Sequence, residues 1–248
     1  MDDLEWCIEY LKEYNKIEKL PNIPPREVFR ALENVTMPED LSDEYYKKEE
    51  RVLKTILSEK TVTDVDTFKD GISVFKGDIT LLKADAIVNA CNNKMLGCFV
   101  PGHHCIDNAI HSFAGLKVRR DMMKIMQKQG HDEKNGECKV TSAYCLPSKY
   151  IFHTVGPIYC GRKQDEIDLK KCYMSCLKKA NEMGLTSIVF CCLSTGVFGY
   201  PNEDAAKIAT ETVKAFLRKD NKTLKKVVFN VFLEKDYEIY TRLLGKNL

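Results

Sequence analysis

Along the first 60 residues apolar side chains recur at helical spacing, broken by turn signals. Leu4, Cys7, Ile8 and Leu11 fall three and four positions apart, the period of one helix face. Pro21, Pro24 and Pro25 interrupt the pattern, and Pro25 is suited to open a second helix carrying Val28, Phe29 and Leu32. Ser42 reads as the cap of a third, with Tyr45, Tyr46, Val52, Leu53 and Ile56 along it. These helices have apolar faces but too little material to bury them alone. They are expected to dock on the rest of the chain.

From about residue 68 the period changes. Short β-rich runs (Ile72–Phe75, Ala86–Asn89, Cys138–Tyr144, Tyr150–Thr154, Ser187–Leu193 and Val227–Phe232) alternate with helical stretches. The helices are expected at Ile106–Gln129, Asp165–Met183, Glu203–Arg218 and from Asp236 onward. Strands apolar on both sides, such as Ile188–Leu193, imply a sheet covered on both faces. The alternation predicts an α/β fold, a three-layer α/β/α domain preceded by a helical extension.

Composition narrows the class. At 44% hydrophobic and 30% charged over 248 residues, the chain has ample material for a core, so intrinsic disorder is out. Its longest apolar runs fall far short of the ~20 residues needed to cross a bilayer. The start, Met-Asp-Asp-Leu-Glu-Trp, lacks the basic and apolar regions of a signal peptide. A soluble, cytoplasmic protein without a membrane partner is expected. The formal charge of +2 divides into −7 over residues 1–66 and +9 over the remainder. A basic body favours an anionic ligand, yet no dense Lys/Arg run interleaved with aromatics points to nucleic acid. Eleven cysteines, an odd number with no export signal, read as free thiols in a reducing compartment.

Four segments carry more polarity than packing explains. Gly77-Asp78-Ile79-Thr80 follows a strand, and alone would be a turn and a cap. Ser194-Thr195-Gly196-Val197-Phe198-Gly199-Tyr200-Pro201 lies between a strand and a helix. Its glycines there would let backbone N–H groups ring a phosphate, although a plain connecting loop fits the same pattern. Val88-Asn89-Ala90-Cys91-Asn92-Asn93 closes another strand. The fourth, Gly97-Cys98-Phe99-Val100-Pro101-Gly102-His103-His104-Cys105, holds two cysteines and two histidines around a Pro-Gly turn. Thiolate and imidazole are zinc's preferred ligands, and three of the four could converge. Three ligands leave an open, catalytic position; a fourth, such as His104 or Cys91, would make the site structural.

These segments together resemble the macrodomain family, which binds ADP-ribose. GDIT, DAIVNACNN, CIDNAIHSFAG, TSAYCLP, HTVGP and STGVFGYP stand in macrodomain order from about residue 70 to the end. The loop before Asp107 departs from the common glycine run and reads GCFVPGHHCID. With the helical extension, this resembles the zinc-containing subfamily, microbial enzymes that reverse protein mono-ADP-ribosylation. The resemblance divides the chain into an extension, residues 1–66, and a macrodomain, residues 67–248, whose sheet is mixed and mostly parallel. It implies Zn2+ held by Cys98, His103 and Cys105. It further implies Asp78 and the Ile79 amide at adenine, Phe232 stacked nearby, and Ser194, Thr195, Gly196, Val197 and Phe198 around the diphosphate. Asn92 and Asp107 would face the distal ribose as catalytic groups. By general rules Asp107 is also a helix N-cap before Asn108, and Asn89 ties the loop to the sheet. The implied activity is zinc-dependent removal of mono-ADP-ribose from a modified, acidic protein side chain; a non-catalytic reader with structural zinc is the alternative. Implied partners are ADP-ribose, the mono-ADP-ribosylated protein, a cognate ADP-ribosyltransferase and a carrier-protein target.

Overall fold

The computed structural model describes residues 1–245. Three helices come first: α1 (Asp3–Tyr14), α2 (Pro25–Val35) and α3 (Asp43–Ser58). Asp2 and Glu5 close a capping box on α1, Pro25 opens α2, and the Ser42 hydroxyl accepts from the Tyr45 N–H to cap α3. Their apolar faces meet in a small core of Cys7, Leu11, Phe29, Leu32, Tyr45 and Leu53, which Leu116 and Cys145 of the following body complete. The docking expected from their short length is thus present in the packing.

The body is built on six strands: β2 (Gly71–Lys76), β4 (Ala86–Cys91), β5 (Cys138–Ser142), β6 (Tyr150–Val155), β7 (Ser187–Phe190) and β8 (Lys226–Val231). They run β2-β8-β7-β4-β6-β5, all parallel except β5, which returns antiparallel to β6 at the edge. The short β1 (Thr63–Asp64) pairs with β3 (Leu82–Lys83) beside it. Against the sheet pack α4 (Ile106–Ala114) and α5 (Leu116–Gln129), and on the other layer α6 (Lys163–Glu182), α7 (Asn202–Lys219) and α8 (Glu234–Leu244). Ile87, Val88, Phe152, Ile188, Val189, Phe190, Val227 and Phe229 are essentially solvent-free, as strands covered on both faces require. The expected three-layer α/β/α architecture is observed.

Several boundaries shift by one or two residues from the sequence reading, among them the strand expected through Tyr144, which ends at Ser142, and two differ further. The single helix expected over Ile106–Gln129 is two, split at Gly115, whose φ of +90° neither helix can contain. A side chain there would also meet the Glu49 carboxylate at 2.9 Å. The strand expected through Leu193 ends at Phe190, because Cys191–Leu193 leave the ladder to start the next loop. No helix among the described residues is long and apolar enough to cross a membrane. All eleven cysteines are unpaired.

Candidate functional site

Parallel pairing sends the carboxyl ends of β2, β8, β7, β4 and β6 to one edge of the sheet, the usual ligand crevice of an open α/β fold. The four polar segments therefore meet there by topology. At one end, Gly77 N–H donates to Val231 O (2.9 Å), and the buried Asn230 amide donates to Gly77 O (2.9 Å), fastening the end of β2 to β8. Asn230 was not singled out from sequence, since an asparagine inside an apolar strand run gives no sign of its partner. Asp78 follows: its Oδ1 accepts from Thr80 N–H (2.9 Å) and Oγ1 (2.6 Å), and Oδ2 has no protein partner among the described residues. Phe232 stands just past β8, 77% exposed.

The middle of the edge is the loop after β7. Ser194 adopts a φ of +64°, and the chain then turns so that Gly199 N–H donates to Gly196 O and Tyr200 N–H to Ser194 O. Among the described residues no acceptor is found for the N–H groups of Thr195, Gly196, Val197 and Phe198. Four consecutive free amides just ahead of α7 form a ready anion cradle. Gly156, just past β6, leaves room for the loop: a Cβ there would clash with the Ser194 hydroxyl.

The far end holds the cysteine-histidine segment. The ligand atoms of Cys98, His103 and Cys105 lie within 4.8 Å of one another, with Cys98 Sγ 3.6 Å from His103 Nδ1. His104 is exposed and outside the group. Cys91 is buried, its thiol donating to Thr154 O at 3.2 Å. Among the described residues no fourth ligand joins, and these three could hold a metal ion. Burial pushes the Cys105 thiol up to about 11, with the Asn108 N–H opposing it and the Cys98 thiol adding to it. Two soft donors and an imidazole this close suit a borderline cation such as zinc.

Asp107 and Asn92 flank this group. The helix cap is Cys105, not Asp107: its Sγ accepts from the Asn108 N–H at 3.4 Å, and α4 begins at Ile106. Asp107 instead lies in the first turn, where a carboxylate suits the helix dipole. It is 5% exposed, and its Oδ1 accepts from Asn89 Nδ2 at 2.8 Å. Burial raises its carboxyl to about 6, against the pull of Asn89 and the Arg119 guanidinium. Asn89 also approaches His153 Nδ1 (3.3 Å), and His111 Nε2 stands 3.5 Å from Asp107. Burial drives both histidines well below their usual range, His153 to about 3, so both are neutral. The sequence reading had no role for either; only their burial against Asp107 and Asn89 shows one. Asn92 closes the preceding turn, donating to Gly97 O (3.1 Å) and accepting from Lys94 N–H (3.0 Å). Among the described residues one N–H and one lone pair of that amide have no partner and are available to a ligand. Gly97, with φ +86°, brings the chain so near the His111 ring that a Cβ would sit 2.9 Å away.

The chain is similar to proteins already known. The family model described as Macro domain matches residues 88–209. A Staphylococcus aureus protein named protein-ADP-ribose hydrolase is 46% identical over 228 residues, covering 89% of this chain and 85% of its own. One of the same name from Treponema medium is 43% identical and covers 97% of both chains. Among solved structures, the Trypanosoma brucei macrodomain in complex with ADP-ribose superposes with a TM-score of 0.67 at 31% identity, covering 87% of this chain and 95% of its own.

Proposed function

Because this chain belongs to the macro domain family, we propose that it is a zinc-dependent hydrolase that removes mono-ADP-ribose from acidic side chains of modified proteins. The proposal divides the chain into a helical extension, residues 1–66, and a macrodomain, residues 67–248, acting in the reducing cytoplasm that eleven free thiols suit. The observation that carries it is the convergence of Cys98, His103 and Cys105 next to the buried Asp107 at the ligand edge of the sheet. A module that only bound ADP-ribose would need no open coordination position, which a three-ligand group leaves.

In this reading the nucleotide lies along the edge. The adenine amino group donates to Asp78, which has a free oxygen, and the Ile79 N–H sits beside it. Phe232, exposed and unoccupied by the core, covers the ring. The amides of Thr195 through Phe198, with Ser194 setting their turn, take the diphosphate. That leaves the distal ribose toward Asn92 and Asp107, and the bond to be cut joins its anomeric carbon, or a migrated ester, to the acceptor. Asn92 shapes the turn that borders the ribose. Asp107, held at Oδ1 by Asn89, orients the attacking water through its remaining oxygen. His111 and His153, both buried and with lowered pKa, border that carboxylate, and the Arg119 guanidinium acts on it from further off. Zinc, bound by Cys98, His103 and Cys105, would supply Lewis-acid polarisation of an oxygen at this end.

The test is incubation with a mono-ADP-ribosylated protein, with and without chelator, beside metal analysis of the purified protein. Release of ADP-ribose that the chelator stops, from protein carrying about one zinc per chain, is the expected result. Binding of ADP-ribose without release on any linkage would make the protein a reader. The modified carrier protein and its ADP-ribosyltransferase remain the partners this activity implies.

A further inference from the structure

We propose that the N-terminal extension is part of the metal site, with Arg30 and Asn34 of α2 as positioning residues for the ligand loop. The inference rests on the zinc reading above and deepens it. Arg30 and Asn34 are four residues apart and share one face of α2. Opposite them, Asn108 and Ser112 are four apart on α4. Arg30 Nη2 and Nε donate to Asn108 Oδ1 at 2.7 and 3.1 Å, and Asn34 Nδ2 donates to Ser112 Oγ at 2.9 Å. Were docking the whole purpose, these two rungs would suffice.

Each side chain, however, has a second arm on the loop. Arg30 Nη2 also donates to the carbonyl of His103 at 3.0 Å, and Asn34 Oδ1 accepts from the Gly102 N–H at 2.9 Å. Asn108, fixed by Arg30, extends the clamp: its Nδ2 donates to Val100 O at 3.0 Å and its N–H to Cys105 Sγ at 3.4 Å. Between Cys98 and Cys105 the loop's own backbone makes one hydrogen bond, His103 N–H to Val100 O. The loop also exposes Phe99 and Val100 rather than burying them, at 39% and 57%. Beyond the clamp, the Arg119 guanidinium lies over the Phe99 ring, 4.5 Å from its centroid. Asn34 is 1% exposed, so its two bonds face no competition from water.

A loop that must bring three donors together loses conformational freedom on binding a cation unless it is already ordered. Groups that orient a ligand from behind typically contribute about 10–100-fold in metal affinity. The guanidinium fork matters here because it reaches two acceptors at once, which a lysine ammonium in its place does not do in a fixed plane.

The experiment is zinc competition against a chromophoric chelator on the full-length protein, comparing native chain, Arg30→Met, Arg30→Lys, Asn34→Ala and Leu53→Ala. Leu53 packs in the extension's core without touching the loop, so it reports docking alone. Arg30→Met and Asn34→Ala are expected to bind zinc about 10–100-fold more weakly and to release it faster. Arg30→Lys should fall between, and serves if the methionine variant does not fold. Leu53→Ala should lower the melting temperature and keep zinc affinity. ADP-ribose affinity should hold in all four, since Asp78 and the Ser194–Phe198 loop lie elsewhere. In cobalt-loaded protein, the thiolate-to-metal absorption should weaken in the two clamp variants only. A native protein that holds no zinc overturns the zinc reading, and this inference with it. A native protein that holds zinc, with clamp variants that hold it as tightly, overturns the inference alone. So does an equal loss in Leu53→Ala.

Discussion

On the proposed reading a single carboxylate, Asp78, makes the difference between a phosphate cradle and a nucleotide site. Thr80 engages one of its oxygens through both N–H and hydroxyl, which fixes the carboxylate's plane and leaves the other oxygen for a ligand. Asp78→Ala removes a charged acceptor whose hydrogen bond contributes about 1.5–3 kcal/mol. ADP-ribose affinity should fall roughly ten- to a hundredfold, while zinc content and circular dichroism stay unchanged. Titration calorimetry reads this directly, and unchanged affinity would move the adenine elsewhere. The capping turn at Asp78 was legible in GDIT alone, and its place at adenine comes from the family resemblance. Asn89, His111 and His153 were less so: their chemistry depends on being buried against Asp107, and burial at that point comes from long-range strand pairing rather than local pattern.

The element that matters most is the loop from Gly97 to Cys105 with the start of α4. Its donors are visible in the sequence as two cysteines and two histidines, but spacing cannot tell His103 from His104. Structure separates them, since His103 turns inward beside Cys98 and His104 is exposed. Cys105→Ala should therefore empty the metal site, and His104→Ala should leave about one zinc per chain by elemental analysis. Full occupancy in Cys105→Ala would sink the ligand assignment. Helix boundaries were legible where a proline or a cap marks them, at Pro25 and Ser42. They were not legible at Gly115, because the apolar pattern runs on through the break. What ends α4 there is the φ of +90° at Gly115, a residue packed so close to the Glu49 side chain of another helix that a Cβ would not fit. The role of α2 was likewise hidden, since an arginine and an asparagine on an exposed-looking helix face carry no sign of what they will touch.

At the scale of the molecule, the extension and body are joined by buried polar groups rather than by apolar contact alone. Arg119, 1% exposed, donates to the carbonyls of Glu33 and Thr36 on one side and Leu96 on the other. Burial lowers it to about 10, with Asp107 and Glu33 opposing that shift. Beside it Glu33 and Glu49 are both buried, facing Tyr45, Arg119 and Arg30. Burial raises Glu33 well above the usual carboxylate range, with Glu49 adding to it. Burial lifts Glu49 to about 7, against the Leu116 N–H that donates to it at 2.7 Å. An acid whose folded pKa lies above its unfolded value contributes stability that is full at low pH. That stability is lost as pH rises from the unfolded value, near 4.5, through about 7. The buried His111 and His153 shift stability the opposite way over the same range, because only their unfolded forms take up protons at pH 5, so the pair is read by difference. From pH 5 to pH 8 native protein should lose more, or gain less, urea resistance than Glu33→Gln, which mimics the protonated partner. An equal change in both proteins would show that the pair does not couple the two parts.

The central claim is that the metal group performs chemistry while the rest of the edge binds the nucleotide. Stabilisation confined to the transition state raises turnover without tightening ground-state binding, so its removal separates the two. The direct measurement is the rate of ADP-ribose release from a mono-ADP-ribosylated protein, taken beside ADP-ribose affinity, for native protein and Cys105→Ala. The account predicts that release in Cys105→Ala falls by far more than affinity does, because Asp78 and the amides of Thr195 to Phe198 do not touch the metal group. Equal release rates in the two proteins would contradict it.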